Sequence, residues 1–212
     1  DCNLGEEKST ELPVQTLFGN NYAVLAEEFE AYHSKPRVFK NTIESVLITF
    51  GGTDPHSLTP TLAQKILHIH PGLSITLLAG PGNRNIPALK DLESKYAQVR
   101  LLDSTSEMAQ TLFAHDIVFC AGGVTLHEAM AVGTPAFVIN QVQHQADKAN
   151  RAEKLGAALN LGMTDSWAEK RLLEISQSSP KILAKMSQAG KSIIDGKGLK
   201  RIVDAIEELL KL

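Results

Sequence analysis

Short apolar runs alternate with longer segments of mixed polarity along most of the chain. Residues 46–50 are almost continuously apolar and end at two glycines, whereas Leu62, Ile66 and Ile69 recur at the spacing of one helical face. Runs without alternation are typical of parallel strands that are buried on both faces. The pattern predicts strands at residues 46–50, 74–79, 99–102, 116–120, 135–139 and 157–161, and helices at residues 59–69, 86–96, 107–114, 125–132 and 145–155, with two or three more helices to the C-terminus.

This alternation predicts an α/β fold, a Rossmann-like parallel sheet with helices on both faces. Right-handed crossovers place all strand-to-helix loops at one edge of such a sheet, and ligands bind along that edge. We expect this domain to cover residues 41–212. Residues 1–40 begin with a polar stretch and contain one helix-like piece at residues 22–32, so we interpret them as an interdomain linker and a packing helix.

Composition and charge give no support for nucleic-acid binding, membrane insertion or metal binding. The 212 residues are enough for one α/β domain, and 21 Lys and Arg against 24 Asp and Glu give a net charge of −3, which does not favour a nucleic-acid partner. No apolar run reaches the roughly 18 residues of a transmembrane segment. Two cysteines, Cys2 and Cys120, indicate no disulfide framework and fit a reducing cytoplasm. No Cys/His cluster suggests a metal, and we predict no cofactor.

The first candidate loop follows the strand at residues 46–50. Gly51 and Gly52 let backbone N–H groups approach an anion closely, Thr53 adds a hydroxyl, and the next helix offers its positive end. The alternative is a plain turn in which Asp54 and Pro55 supply the turn chemistry.

The second candidate loop precedes the helix at residues 125–132. Gly122, Gly123 and Thr125 suit a phosphate at the helix N-terminus, and the Glu128 carboxylate suits the two hydroxyls of a ribose. The alternative is a capping box, because Thr125 and Glu128 stand three residues apart.

The third candidate loop spans residues 140–145 and is rich in amides. Gln143, His144 and Gln145 both donate and accept hydrogen bonds, as a sugar requires. The alternative is a solvated loop in which Gln145 starts the next helix. Two other glycine-containing segments fit phosphate motifs less well: residues 80–85 lack the third glycine of the dinucleotide fingerprint, and Lys185 stands where the first glycine of a P-loop belongs.

With these loops in place, the chain resembles the C-terminal domain of GT-B-type nucleotide-sugar enzymes. The segments GGTDP at residues 51–55 and GGVTLHEAMAVGTP at residues 122–135 carry the likeness. Residues 19–29, 51–55 and 195–198 are similar to segments of the UDP-sugar hydrolase of pseudaminic acid biosynthesis and of the related spore-coat polysaccharide synthesis proteins. A more distant resemblance is to the N-acetylglucosaminyltransferase that forms lipid II.

The resemblance implies a UDP-sugar as ligand and a second Rossmann-like domain, preceding this one, as partner. It assigns ribose binding to Glu128, phosphate binding to the residues 51–53 and sugar or phosphate contacts to residues 143–145. Gly122 and Gly123 depart from the serine-containing versions of the motif. We expect the catalytic residues in the preceding domain, outside this chain, and a reaction of UDP-sugar hydrolysis or glycosyl transfer in surface polysaccharide or nonulosonic acid biosynthesis. The alternative is a non-catalytic nucleotide-binding or regulatory module that kept the fold.

Overall fold

Six parallel strands form one sheet in the computed structural model, which describes residues 16–176 and 178–210. The strand order is β3-β2-β1-β4-β5-β6, and every neighbouring pair is parallel. The predicted Rossmann-like α/β fold is therefore confirmed. The strands are β1 (Ser45–Thr49), β2 (Ser74–Leu78), β3 (Val99–Leu102), β4 (Ile117–Cys120), β5 (Ala136–Asn140) and β6 (Ala158–Met163).

Helices connect the strands and follow the last one. Most begin and end within two residues of the prediction, and α8 begins at Pro180 with the Ser179 hydroxyl accepting a hydrogen bond from the Ile182 N–H. The helices are α1 (Glu28–His33), α2 (Leu58–Ile69), α3 (Ile86–Lys95), α4 (Met108–Ala114), α5 (Val124–Val132), α6 (Gln143–Lys154), α7 (Arg171–Ser176), α8 (Pro180–Ile193) and α9 (Gly198–Leu209).

The helix predicted at residues 22–32 is shorter than expected. A 3-10 turn at Asn20–Tyr22 and the six-residue α1 replace it. Between them Ala23 and Leu25 are buried while Val24 is exposed, which is the alternation of an extended segment. Tertiary packing of these two side chains therefore holds the chain extended where the local pattern favours helix.

Both faces of the sheet are buried, which explains the continuous apolar runs. Along β1, Val46 and Ile48 join the core beneath α2 and α3, whereas Leu47 joins the core beneath α4 and α5. The same alternation recurs in β4, where Phe119 and Val118 point into opposite cores.

Residues 16–44 pack against the domain before β1 begins. The Arg37 guanidinium donates hydrogen bonds to the backbone oxygens of Phe113 and His115 and to the Thr134 hydroxyl. Burial lowers the pKa of Arg37 to about 10, and the nearby charge of Asp116 opposes that shift. The assignment of residues 1–40 as an interdomain linker stays a prediction, and residues 1–15 lie outside the described residues.

None of the helices in the described part of the chain has the length and apolar character needed to span a membrane.

The chain changes direction across the sheet at the centre, between β1 and β4. The connection after β1 leads outward to β2, and the connection after β4 leads outward to β5, so the two loops diverge and leave a crevice between them. Thr49 pairs with Cys120, which places Gly51 and Gly122 two residues beyond paired positions on neighbouring strands. The first two candidate loops therefore lie at the same edge of the sheet.

Candidate functional site

The turn between β1 and α2 has an open glycine pair and a buried carboxylate. Gly51 adopts a φ of 82°, and an added Cβ on Gly51 or Gly52 would meet nothing within 4 Å. Asp54 is buried, and its carboxylate accepts hydrogen bonds from the Leu58 and Thr59 N–H groups at 2.9 and 2.8 Å. Because Asp54 caps α2, the expectation that α2 offers its positive end to an anion is wrong.

The turn between β4 and α5 leaves its helix end free of side-chain caps. Gly123 precedes α5 and carries no side chain, so the residue before the helix makes no capping hydrogen bond. An added Cβ on Gly123 would meet nothing within 4 Å, whereas one on Gly122 would clash with the Gln145 backbone oxygen and lie 2.7 Å from Asn140 Oδ1. The space beside Gly123 is therefore open, and the first N–H groups of a helix have no partner within the helix.

The capping-box alternative for this turn is wrong. The helix begins at Val124, so Thr125 is its second residue and cannot serve as the residue before the first turn. The helix therefore begins two residues earlier than a capping box at Thr125 requires.

Glu128 lies on the second turn of α5, and the pKa of its carboxyl group is higher than that of an ordinary glutamate. Burial raises the pKa of Glu128 to about 7; a hydrogen bond with Thr125 lowers it, and the charge of Glu28 raises it further. Glu28 accepts a hydrogen bond at 3.3 Å from the N–H of Ala109, which is at the start of α4. Because α4 and α5 both begin at the same edge of the sheet, the carboxyl groups of Glu28 and Glu128 both lie toward that edge. In its ionised form Glu128 offers two acceptor oxygens beside the open end of α5.

His127 precedes Glu128 but is buried, and its Nε2 atom has no hydrogen-bond partner among the described residues. Burial lowers the pKa of His127 to about 4, and the charge of Lys148 adds to the effect. The imidazole is therefore neutral at physiological pH and contributes no positive charge to the site.

The predicted sugar-binding residues form the first turn of a helix and do not lie in a loop. α6 begins at Gln143, two residues earlier than expected. Gln145 Oε1 accepts from the Gln141 N–H at 2.8 Å, Gln143 Nε2 donates to Asp147 at 3.0 Å, and His144 is exposed. Their roles stay predictions.

Residues 80–85 also belong to this edge, although sequence reasoning gave them no firm role. An added Cβ on Gly80 would overlap the backbone of Gly52, and the Gly82 N–H donates to the Gly52 oxygen at 3.0 Å. Gly80 and Gly82, which follow β2, are the sequence feature that indicates this close contact with Gly52. With the β1–α2 turn these residues enclose an open depression of about 540 Å³, lined by Thr53, Asp54, Pro55, Ser57, Gly82, Arg84 and Asn85.

Among the residues that the structure describes, no group of three or more His, Cys, Asp or Glu side chains is placed to hold a metal ion.

Several known proteins are similar in sequence to this chain. The chain is 27% identical over 198 residues to the spore coat polysaccharide biosynthesis protein SpsG of Bacillus subtilis, covering 90% of this chain and 58% of that protein. It is 27% identical over 177 residues to the UDP-N-acetylglucosamine–N-acetylmuramyl-(pentapeptide) pyrophosphoryl-undecaprenol N-acetylglucosamine transferase of Alkaliphilus metalliredigens, covering 78% of this chain and 48% of the transferase. The chain thus spans about half the length of these relatives.

A solved structure with the same fold is the S. aureus MnaA complex with UDP. It aligns with a TM-score of 0.61 at 14% identity, over 89% of this chain and 50% of that chain. At this identity the likeness concerns the fold, that of a GT-B C-terminal domain. The model of the glycosyltransferase family 28 C-terminal domain matches residues 46–207, and the chain therefore belongs to that family.

Proposed function

We propose that this chain is the nucleotide-sugar-binding half of a two-domain cytoplasmic enzyme that acts on a UDP-sugar, by hydrolysis or by glycosyl transfer. The reaction would serve surface polysaccharide or nonulosonic acid biosynthesis, the latter as in the pseudaminic-acid-pathway hydrolase that the chain resembles. The observation that carries the proposal is the end of α5 at the central crevice. It has no side-chain cap, an open glycine before it and a carboxyl group one turn beyond it.

The α5 end supplies the chemistry that a nucleoside diphosphate needs. Its free N–H groups and the positive end of the helix attract a phosphate, while the Glu128 carboxylate accepts hydrogen bonds from the ribose hydroxyls. In the turn after the adjacent strand β1, Gly51, Gly52 and Thr53 present further donors to the diphosphate. Gln143, His144 and Gln145 at the start of α6 face the sugar in this proposal.

The same groups stabilise the leaving group of the reaction. When the bond to the sugar or to the sugar phosphate breaks, negative charge grows on the phosphate oxygens, and fixed N–H donors lower the energy of that state. The general base and the acceptor site belong to the preceding domain in this account, so this chain alone binds nucleotide but turns over nothing.

The relatives support this assignment by what their names state. SpsG is named for spore coat polysaccharide biosynthesis, the transferases for N-acetylglucosamine transfer from its UDP derivative, and the MnaA structure contains UDP.

Calorimetric titration with UDP, UDP-N-acetylglucosamine and CMP tests the proposal. We expect the two UDP compounds to bind more tightly than CMP. The absence of heat from all three at millimolar concentration, with folded protein, would contradict it. UDP binding without turnover by a longer form that includes the preceding domain would favour the non-catalytic module.

Gly123→Ala sharpens the test. The new methyl group enters open space and clashes with nothing, but it occupies the approach to the α5 end, and UDP affinity should fall about tenfold or more. Gly72→Ala is the matched control, because Gly72 is equally open and lies between α2 and β2, at the opposite edge of the sheet. Equal UDP affinity of both variants would place the nucleotide elsewhere.

A further inference from the structure

The turn between β1 and α2 has a strained backbone. Asp54 and Ser57 adopt φ angles of 40° and 52°, in the left-handed region that residues other than glycine avoid, and Gly51 adopts 82°. Such a conformation persists only where surrounding contacts hold it. The contacts that stabilise this backbone conformation therefore determine how Gly51 and its neighbours are presented to a ligand.

Asn85 contacts both strained residues from the neighbouring loop. Its Oδ1 atom accepts a hydrogen bond from the Ser57 hydroxyl at 2.8 Å, and its Nδ2 atom donates to the Asp54 backbone oxygen at 3.1 Å. Asn85 is itself held by its N–H group, which donates to Asn83 Oδ1 at 2.8 Å. The side chain thus bridges the two positions of the turn that need support.

The loop that carries Asn85 is seated against the same turn. Gly80 lies so close to Gly52 that a Cβ would overlap it, and the Gly82 N–H binds the Gly52 oxygen. The geometry therefore connects Asn85 to the proposed phosphate turn through both side-chain and backbone contacts.

We propose that Asn85 is a positioning residue that holds residues 51–57 in the shape that presents Gly51, Gly52 and Thr53 to the phosphate farther from the ribose. This inference rests on the proposed function. Glu128 and the α5 end take the ribose and the nearer phosphate, and the β1 turn stands one strand away, about 4.8 Å to the side. The turn therefore contributes to UDP binding and little to UMP binding.

The test compares the affinities of UDP and UMP for the unmodified chain and for Asn85→Ala. Loss of two hydrogen bonds to the turn should weaken UDP binding about tenfold and change UMP binding less than twofold. Gln98→Ala is the matched control, since the Gln98 amide also ties two loops, through the Pro71 oxygen at 2.9 Å, but at the opposite edge of the sheet. It should leave both affinities unchanged.

A second substitution separates positioning from general stability. Glycine adopts a φ near 52° without strain, so Ser57→Gly in the Asn85→Ala background should restore most of the UDP affinity. Failure of that rescue would overturn the inference, as would equal weakening of UDP and UMP, or a lower Tm with an unchanged ratio of the two affinities. Absence of UDP binding by the unmodified chain would instead refute the proposed function itself.

Discussion

The Glu128 carboxyl group should make the stability of the domain depend on pH. Its pKa rises from an ordinary value of 4.5 in the unfolded chain to about 7 in the folded chain, chiefly through burial. The folded state therefore binds the proton more tightly than the unfolded state. The stability that Glu128 contributes is fully present below pH 4.5, is lost as the pH rises toward 7, and stays lost above it.

The magnitude follows from the two pKa values. At 1.36 kcal/mol per pKa unit, the change from 4.5 to about 7 corresponds to about 3 kcal/mol. Because the side chain keeps part of its surface in contact with solvent, we expect about 1–3 kcal/mol in practice. Glu128→Gln removes the charge but keeps the size, so this variant should be more stable than the unmodified chain at pH 8.5 by that amount, and the difference should decrease toward pH 4.5.

Urea unfolding at pH 4.5, 5.5, 6.5, 7.5 and 8.5, followed by circular dichroism, measures the difference directly. Titration of His127 and of other groups occurs in both proteins and largely cancels in the comparison. Glu207→Gln is the control, because Glu207 is exposed on α9 and its substitution should change the free energy of unfolding only slightly. If the free energies of unfolding of Glu128→Gln and the unmodified chain differ by the same amount at every pH, or differ more at acid pH, the pKa of Glu128 is not raised by folding.

Three further predictions concern the same loops. Gly122→Ala should lower the free energy of unfolding by about 2 kcal/mol, because its methyl group clashes with the Gln145 backbone oxygen; an unchanged urea midpoint would contradict this. Asp54→Ala should cost about 2 kcal/mol through loss of the α2 cap, and Asp54→Asn about half as much, as measured by the same method; equal costs would argue against the cap. Cys120 should react with a thiol reagent at pH 8 only after unfolding, tested in a Cys2→Ser background, because burial raises its pKa; rapid native labelling would contradict its burial.

The sheet could be predicted from sequence because its signal is local. Residues 46–50 and 117–120 are almost entirely apolar, and glycines and helix-forming residues follow each run. Burial on two faces requires that pattern whatever the neighbours are. The extended residues 23–25 were missed because their conformation depends on a distant core.

The common edge of the first two candidate loops was also predictable, but the contacts of individual residues were not. The spacing of Thr125 and Glu128 fits a capping box, yet α5 begins two residues earlier than such a box requires, directly after Gly123. Asp54 next to Pro55 is typical of a turn, whereas its hydrogen bonds to α2 and its left-handed backbone are seen only in the structure. The bridge made by Asn85 joins loops 28 residues apart, which no local pattern reveals.

A crystal structure of this chain soaked with UDP would show directly where the nucleotide lies. We expect phosphate oxygens within hydrogen-bonding distance of the N–H groups at the start of α5, and ribose hydroxyls on the Glu128 carboxylate. Density for UDP at another edge of the sheet, or a ribose that leaves Glu128 without contact, would contradict it.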